Sequence, residues 1–417
     1  MSRDTTVSVI GLGYIGLPTS AIFAKQGVKV IGVDVNQKTV ATINKGEIHI
    51  VEPGLGDVVA SAVKTGLLRA VTTPEPADAF IMAVPTPFNA DKSGDLSYIQ
   101  AAAKNLAPVL KRGNLIILES TSPVGTTEQL EAWLQAERPD LTFPSSHGDE
   151  ADVQLAYCPE RVLPGKVMEE LVMNDRVIGG LSPRASKQAA DLYRIFLKGD
   201  CLRTNARTAE MAKLTENSFR DVNIAFANEL SLICDKLDIN VWELIRLANH
   251  HPRVNILQPG PGVGGHCIAV DPWFIVSSAP EQARLIRTAR EVNDYKPQWV
   301  LEQVKAKVAA LPGPAENKVI ACLGLAFKAN IDDLRESPAL AIAQCIASEH
   351  SGRTLVVEPN IKSLPSGFNG AQLMELNTAL EQADVILLLV DHAPFKAITR
   401  AQLEGKVWVD TKGLIDG

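Results

Sequence analysis

Short apolar runs, each ending in glycine, proline or hydroxyl residues, punctuate the chain. The first is Val7-Ser8-Val9-Ile10, followed by Gly11-Leu12-Gly13-Tyr14-Ile15-Gly16, a stretch over 17–26 with helical spacing, and a second run ending Val30-Ile31-Gly32-Val33-Asp34. This order predicts strand, glycine turn, helix and strand. Further runs at 79–84, 114–119 and 155–162 read as strands buried on both faces, the form that parallel sheets take. Residues 144–152 read as an exposed polar excursion.

The period changes at Thr208. Met211, Leu214, Thr215, Ser218, Val222, Ala225, Phe226, Glu229, Leu230 and Ile233 recur at intervals of three and four, which predicts a continuous helix of about seven turns. After the Pro312-Gly313-Pro314 linker, strand-like runs return at 318–324, 354–357, 385–390 and 407–410, with a helix from Pro338. The expected fold is α/β: two doubly wound Rossmann-like domains joined by a long central helix and a helical middle region. The expected segments are 1–205, a dinucleotide domain, 206–311, a central helical region carrying the Cys267 loop, and 312–417, a second nucleotide domain.

Composition narrows the function classes. A chain of 417 residues with 46% apolar residues has material for several sizeable cores. A net charge of −7 with no basic block argues against nucleic acid as a partner. The longest apolar runs, such as 385–390, fall far short of a bilayer span, and the N-terminus enters a strand without a signal-like region, so no membrane partner is expected. Six cysteines (Cys158, Cys201, Cys234, Cys267, Cys322 and Cys345) lie far apart without CxxC or zinc-ligand spacing, which predicts reduced thiols in the cytoplasm.

The glycine turn carries the first candidate chemistry. Gly11 suits the tight turn, Gly13 would let a pyrophosphate approach the amides of a helix N-terminus, and Gly16 would allow close helix packing. Asp34 ends the second strand eighteen residues after Gly16, where its charge would accept from the ribose hydroxyls of NAD and repel the 2′-phosphate of NADP. Pro85-Thr86-Pro87 and 120–127 follow strands whose carboxyl ends would face the same crevice; ordinary turn and cap chemistry explains their hydroxyls equally well.

The second candidate is Gly262-Val263-Gly264-Gly265-His266-Cys267-Ile268-Ala269-Val270-Asp271-Pro272-Trp273. It sets one thiol in a glycine-rich loop, with an imidazole before it and a carboxylate after it, an arrangement suited to covalent chemistry. A turn with a buried cysteine is the bland alternative. On the long helix Lys213, Asn217 and Arg220 share one face, either functional or merely solvated. Lys328 and Arg335 follow the first strand of the second sheet and suit phosphates. His250, His251 and His266 lack an accompanying carboxylate-rich set, so no metal is expected.

The ordered segments GLGYIG, VPTP, ESTSPVGTT, CPER, AEMAKLTENSFRDVNIAFANEL, GPGVGGHCIAVDPW, GLAFKANIDDLRESP and LLLVDHAPF resemble the UDP-glucose/UDP-N-acetylhexosamine 6-dehydrogenases over essentially the whole chain. The form from His266 to Phe274, with Val270 where UDP-glucose members usually carry lysine, resembles the branch acting on N-acetylated sugars. Pro164 is a departure, since UDP-glucose enzymes often place a carboxylate there that is thought to help hydrolysis.

The resemblance implies a four-electron oxidation of the sugar C6 alcohol to a carboxylate with NAD as cofactor, a nucleotide-sugar substrate and a homodimer. It implies that Cys267 forms a thiohemiacetal and then a thioester. Lys213 and Asp271 would share proton and oxyanion work, Asn217 would donate to the oxyanion, and Glu160 would help the hydrolytic water beside Thr121. The cofactor set becomes Gly11, Gly13, Tyr14, Ile15, Gly16, Asp34, Thr86, Thr127 and Arg335. The substrate set becomes Arg161, Val162, Lys213, Asn217, Arg220, His251, Arg253, Gly264, Phe327 and Lys328. The resemblance implies UDP-N-acetylmannosamine as the substrate; UDP-N-acetylglucosamine and UDP-glucose stay open as alternatives, because physics alone does not assign the C2 epimer. A remoter alternative of another class is a non-catalytic NAD-binding redox regulator in which Cys267 is a sensor thiol.

Overall fold

The computed structural model describes residues 5–163 and 165–415, with His266 described by its backbone only. The chain divides into two compact units, Met1–Glu216 and Asn217–Gly417. The 31-residue helix Ala206–Lys236 runs through the division, so the helical stretch that follows it belongs with the second sheet.

The first unit is built on eight strands: β1 (Thr6–Ile10), β2 (Lys29–Val33), β3 (Leu68–Val71), β4 (Ala79–Met82), β5 (Leu115–Leu118), β6 (Gln154–Tyr157), β7 (Arg176–Gly180) and β8 (Cys201–Asn205). They lie in the order β3-β2-β1-β4-β5-β6-β7-β8, parallel except where β7 meets β6. Alternate side chains enter opposite cores. Val7, Val9, Ile81 and Ile117 pack on one face, and Ile10, Phe80, Met82, Ile116 and Leu118 on the other. A strand buried on both faces needs an unbroken apolar run, and for that reason the period-2 signal is absent.

The second unit holds β9 (Val319–Leu323), β10 (Arg353–Val357), β11 (Gln372–Leu373), β12 (Val385–Leu388) and β13 (Val407–Asp410), all parallel in the order β11-β10-β9-β12-β13. Ile320, Cys322, Val385 and Leu387 face one core, and Ala321, Leu323, Ile386 and Leu388 the other. Both sheets are therefore doubly wound, and each reverses its strand order beside its first strand, where such sheets open a ligand crevice.

At each reversal a glycine is jammed against the neighbouring strand end. Gly11 has φ +92°, and a Cβ there would meet the Ala83 carbonyl oxygen at 2.5 Å. Gly324 has φ +93°, and a Cβ there would meet Val390 Cβ at 2.4 Å. Only glycine fits either place. The 144–152 excursion is a short helix, Pro144–His147, with a following turn. Among the described residues no helix is long and apolar enough to cross a membrane.

Candidate active site

In the first unit the glycine turn closes on itself. Gly11 N–H donates to Val33 O at 2.8 Å, and a Cβ on Gly16 would lie 1.7 Å from the Gly11 carbonyl oxygen. Around Gly13 nothing stands within 4 Å of where a Cβ would be, so this exposed backbone is open to an incoming group. The helix Gly16–Lys25 begins here, with Ile15 at its N-cap and Tyr14 exposed beside it. Asp34 accepts from Leu12 N–H at 3.0 Å and Asn36 N–H at 2.9 Å, which holds its carboxylate against the turn. Amides at a helix N-terminus, an open glycine and an acid at the end of β2 fit a dinucleotide.

The ends of β4 and β5 are stitched together next to this turn. Thr86 Oγ1 donates to Thr121 O, and Ser120 Oγ donates to Val84 O at 2.7 Å. Thr127 is buried, and both its amide and its hydroxyl donate to Glu210 Oε1, at 2.8 and 2.6 Å; Gly125 N–H donates to the other oxygen at 2.6 Å. Glu210 thus caps the helix Thr126–Glu137. The sequence reading missed it, because it lies 83 residues from Thr127.

Beyond β6, Glu160 accepts from Arg161 N–H at 2.6 Å through one oxygen and from Arg176 Nη2 at 2.9 Å through the other. The Arg161 guanidinium is engaged by Glu216 at 2.7 Å and by the Asp175 carbonyl. Val162 packs half-buried against the core. Pro164 lies outside the described residues.

In the second unit the glycine segment ends at Gly265, φ +83°, which caps the helix His266–Ser278. Cys267 therefore stands exposed in the first turn of a helix and not in the loop the sequence suggested, and the positive end of that helix favours negative charge developing there. Asp271 follows one turn later, buried, and accepts from Asn217 Nδ2 at 2.5 Å. Lys213 lies one turn before Asn217 on the long helix and is buried, whereas Arg220 is exposed.

Phe327 packs against the glycine segment that precedes Cys267. A Cβ on Gly264 would meet Phe327 Cβ at 2.8 Å and Glu336 O at 2.7 Å, and one on Gly265 would meet the Phe327 ring at 3.2 Å, so the Phe327 side chain lies against both glycines. Lys328, His251 and Arg253 are exposed, and Arg335 is held by Asp333 through Nε at 2.9 Å and Nη2 at 2.6 Å. Asn228, buried on the long helix, accepts from Gly260 N–H at 2.9 Å and donates to Asn293 at 2.8 Å, tethering the start of the glycine segment. That tether was also missed. All six cysteines are thiols. Among the described residues no three His, Cys, Asp or Glu side chains gather as a metal-binding group.

Three domains of the UDP-glucose/GDP-mannose dehydrogenase family match in order: the NAD binding domain over 5–197, the central domain over 207–295 and the UDP binding domain over 321–417. The chain belongs to the UDP-glucose/GDP-mannose dehydrogenase family. It is 67% identical over 415 residues to the UDP-N-acetyl-D-mannosamine dehydrogenase of Salmonella typhi, covering 98% of this chain and 99% of that one. It is 62% identical over 409 residues to the NDP-N-acetyl-D-galactosaminuronic acid dehydrogenase of Ralstonia nicotianae, covering 98% and 96%. Among solved structures, the UDP-N-acetyl-mannosamine dehydrogenase of Staphylococcus aureus matches with a TM-score of 0.86 at 44% identity, covering 99% of this chain and 96% of that one. In this family member the open glycine turn falls in the NAD binding domain, Cys267 in the central domain, and Phe327 and Lys328 in the UDP binding domain.

Proposed function

We propose that this dehydrogenase oxidises the C6 alcohol of UDP-N-acetyl-D-mannosamine to the carboxylate in the cytoplasm, through a covalent intermediate on Cys267. The observation that carries the chemistry is the exposed thiol in a helix's first turn with the Asn217–Asp271 pair one turn further on. The 67% identity to a UDP-N-acetyl-D-mannosamine dehydrogenase supports the sugar.

Bound NAD supplies the hydride acceptor, once for each of two oxidations. Gly11, Gly13, Tyr14, Ile15, Gly16 and Asp34 hold it, with Thr86, Thr127 and Arg335 as further contacts. Lys213 and Asp271 take the alcohol proton in the first oxidation, leaving the aldehyde. The Cys267 thiolate adds to the aldehyde carbon; the C–S bond forms, the carbonyl π pair moves to oxygen, and Asn217 donates to that oxyanion. Loss of hydride from this thiohemiacetal leaves a thioester on Cys267. Glu160, with Thr121, serves the water that adds to the acyl carbon, and the thiolate departs. Arg161, Val162, Arg220, His251, Arg253, Gly264, Phe327 and Lys328 bind the nucleotide sugar. The reaction balances as alcohol plus water plus two NAD+ giving carboxylate, two NADH and three protons.

A homodimer is the proposed assembly. Phe219, Phe226 and Ile233 recur at seven-residue spacing on the long helix and are 71%, 52% and 46% exposed, an apolar stripe suited to a second copy.

The test is NADH formed per sugar consumed, with UDP-N-acetylmannosamine, UDP-N-acetylglucosamine and UDP-glucose supplied separately. Two NADH per sugar with the first alone is expected. One NADH with released aldehyde overturns the thioester step. No NADH with any of the three favours the redox-regulator reading.

A further inference from the structure

Behind Glu160, the first unit buries a cluster of ionisable groups that the reaction above does not use. Arg176, at the start of β7, is 3% exposed and stacks over the rings of Tyr193 and Phe196. Its Nη2 meets Glu160 at 2.9 Å, while its Nη1 reaches Glu119 at 3.5 Å and Cys158 Sγ at 3.6 Å. Glu119, just past the end of β5 and also 3% exposed, accepts from the Tyr193 hydroxyl at 2.6 Å. Its other oxygen has no hydrogen-bond partner.

One guanidinium faces two carboxylates in a buried setting, where a second uncompensated charge is costly. The geometry shows which acid is served. Glu160 has the close guanidinium contact and the Arg161 amide at 2.6 Å; Glu119 has the long contact, a neutral hydroxyl and a bare oxygen able to carry a proton. The other titratable neighbour, Cys158, is pushed up to about 12 by burial and stays a thiol. Burial also pushes the Glu119 carboxyl up, and the Glu160 charge adds to this against the pull of Arg176, leaving it at about 7. Glu119 is therefore neutral below that pH and ionised above it.

We propose that Arg176 and Glu119 are positioning residues for Glu160: the guanidinium aims the Glu160 carboxylate, and Glu119, held as the neutral acid, leaves that guanidinium undivided. The proposal rests on the reading of Glu160 as the carboxylate that serves the hydrolytic water. As pH rises and Glu119 ionises, Arg176 is drawn between two acids and Glu160 loses its fixed orientation. Hydrolysis of the thioester then slows while the two oxidations, which do not use Glu160, keep their own pH dependence.

The test follows acid release and NADH formation separately in single turnovers from pH 5.5 to 9, in wild type and Glu119→Gln. Expected in wild type is a fall in acid release of about tenfold per pH unit beyond the Glu119 ionisation, with no such limb in NADH formation. In Glu119→Gln the limb should vanish or move up by more than one pH unit, which a merely structural defect would not do. An unchanged limb in that variant overturns the proposal. Crystal structures at pH 6 and 8.5 give a readout independent of catalysis: the Arg176–Glu160 contact should loosen with pH in wild type and persist in Glu119→Gln. A contact insensitive to pH in both also overturns it. Unimpaired acid release by Glu160→Gln would instead remove the hydrolytic role of Glu160, leaving the crystal structures to decide the pairing alone.

Discussion

Asp34 and Glu358 occupy the same station in two successive repeats: each follows the second strand of its sheet and accepts from the amide of the leucine that follows the jammed glycine, Leu12 at 3.0 Å and Leu325 at 2.7 Å. What differs is what else each acid touches. Asp34 is partly exposed and otherwise engages only the Asn36 amide among the contacts described above. Glu358 is sealed by Ala326 N–H, by Asn360 and by His392, whose Nε2 lies 3.0 Å away. His392 Nδ1 accepts from Asn330 N–H at 2.9 Å, so the ring's proton is on Nε2 and points at the carboxylate.

These two acids should respond oppositely to neutralisation. Asp34→Ser is expected to weaken NAD binding about tenfold, or ~1.4 kcal/mol, and to relax discrimination against NADP, as read by titration calorimetry with both cofactors. Glu358→Gln should leave both affinities unchanged and lower the unfolding midpoint instead. Burial pushes the Glu358 carboxyl up, but His392 and the Leu325 and Asn360 amides pull it further down, to about 2. A folded value below the unfolded one stabilises above the unfolded pKa, and that contribution fades as pH falls from about 4.5 towards 2. It amounts to on the order of 3 kcal/mol, so wild type and variant should converge in stability as the medium is acidified through that window.

Gly13 and Gly16 separate binding from folding. A methyl at Gly13 meets nothing in the protein, so Gly13→Ala should keep its melting temperature while losing about tenfold or more in NAD affinity to the occluded pyrophosphate. Gly16→Ala must open the turn against the Gly11 carbonyl and should destabilise by about 2 kcal/mol or more. Equal melting temperatures for the two variants would contradict this assignment.

Cys267→Ser should retain NAD affinity and form at most one NADH per sugar, with acid production lost. Undiminished carboxylate would sink the covalent route. Asp271→Asn, which removes the carboxylate charge facing Asn217 and leaves one amide oxygen in place of two acceptors, is expected to lower turnover by roughly 10²- to 10⁴-fold with cofactor affinity within about twofold.

The stripe on the long helix predicts an assembly effect. Phe226→Glu places a charge amid Phe219 and Ile233 and should shift sedimentation from dimer to monomer. A variant that remains dimeric would move the interface elsewhere.

What the sequence disclosed was local. The glycine turn, its flanking strands and the long helix each depend on neighbours within a few turns, and the reading placed the helix start within two residues of Ala206. Strands β3, β7 and β8 escaped because they lack a continuous apolar run, and β11 because it has only two residues; β7, Arg-Val-Ile-Gly-Gly, ends in two glycines. The glycines before Cys267 and Pro272 after it suggested a loop, although Gly265 as cap lets the helix begin at His266. Glu119 with Arg176, separated by 57 residues, and Asn228 with Gly260, by 32, meet only when strands and helices pack. No spacing rule reaches that far.

The seal over Glu358 bears on the order of events in turnover. With that repeat closed by its own side chains, the glycine turn beside Asp34 is the open dinucleotide station of the two. On the proposed route, two hydrides leaving by one station would leave in succession, with a spent carrier exchanged for a fresh one in between. A half-oxidised sugar could escape during that exchange, and the proposed bond to Cys267 would be a leash that holds it until the second carrier arrives.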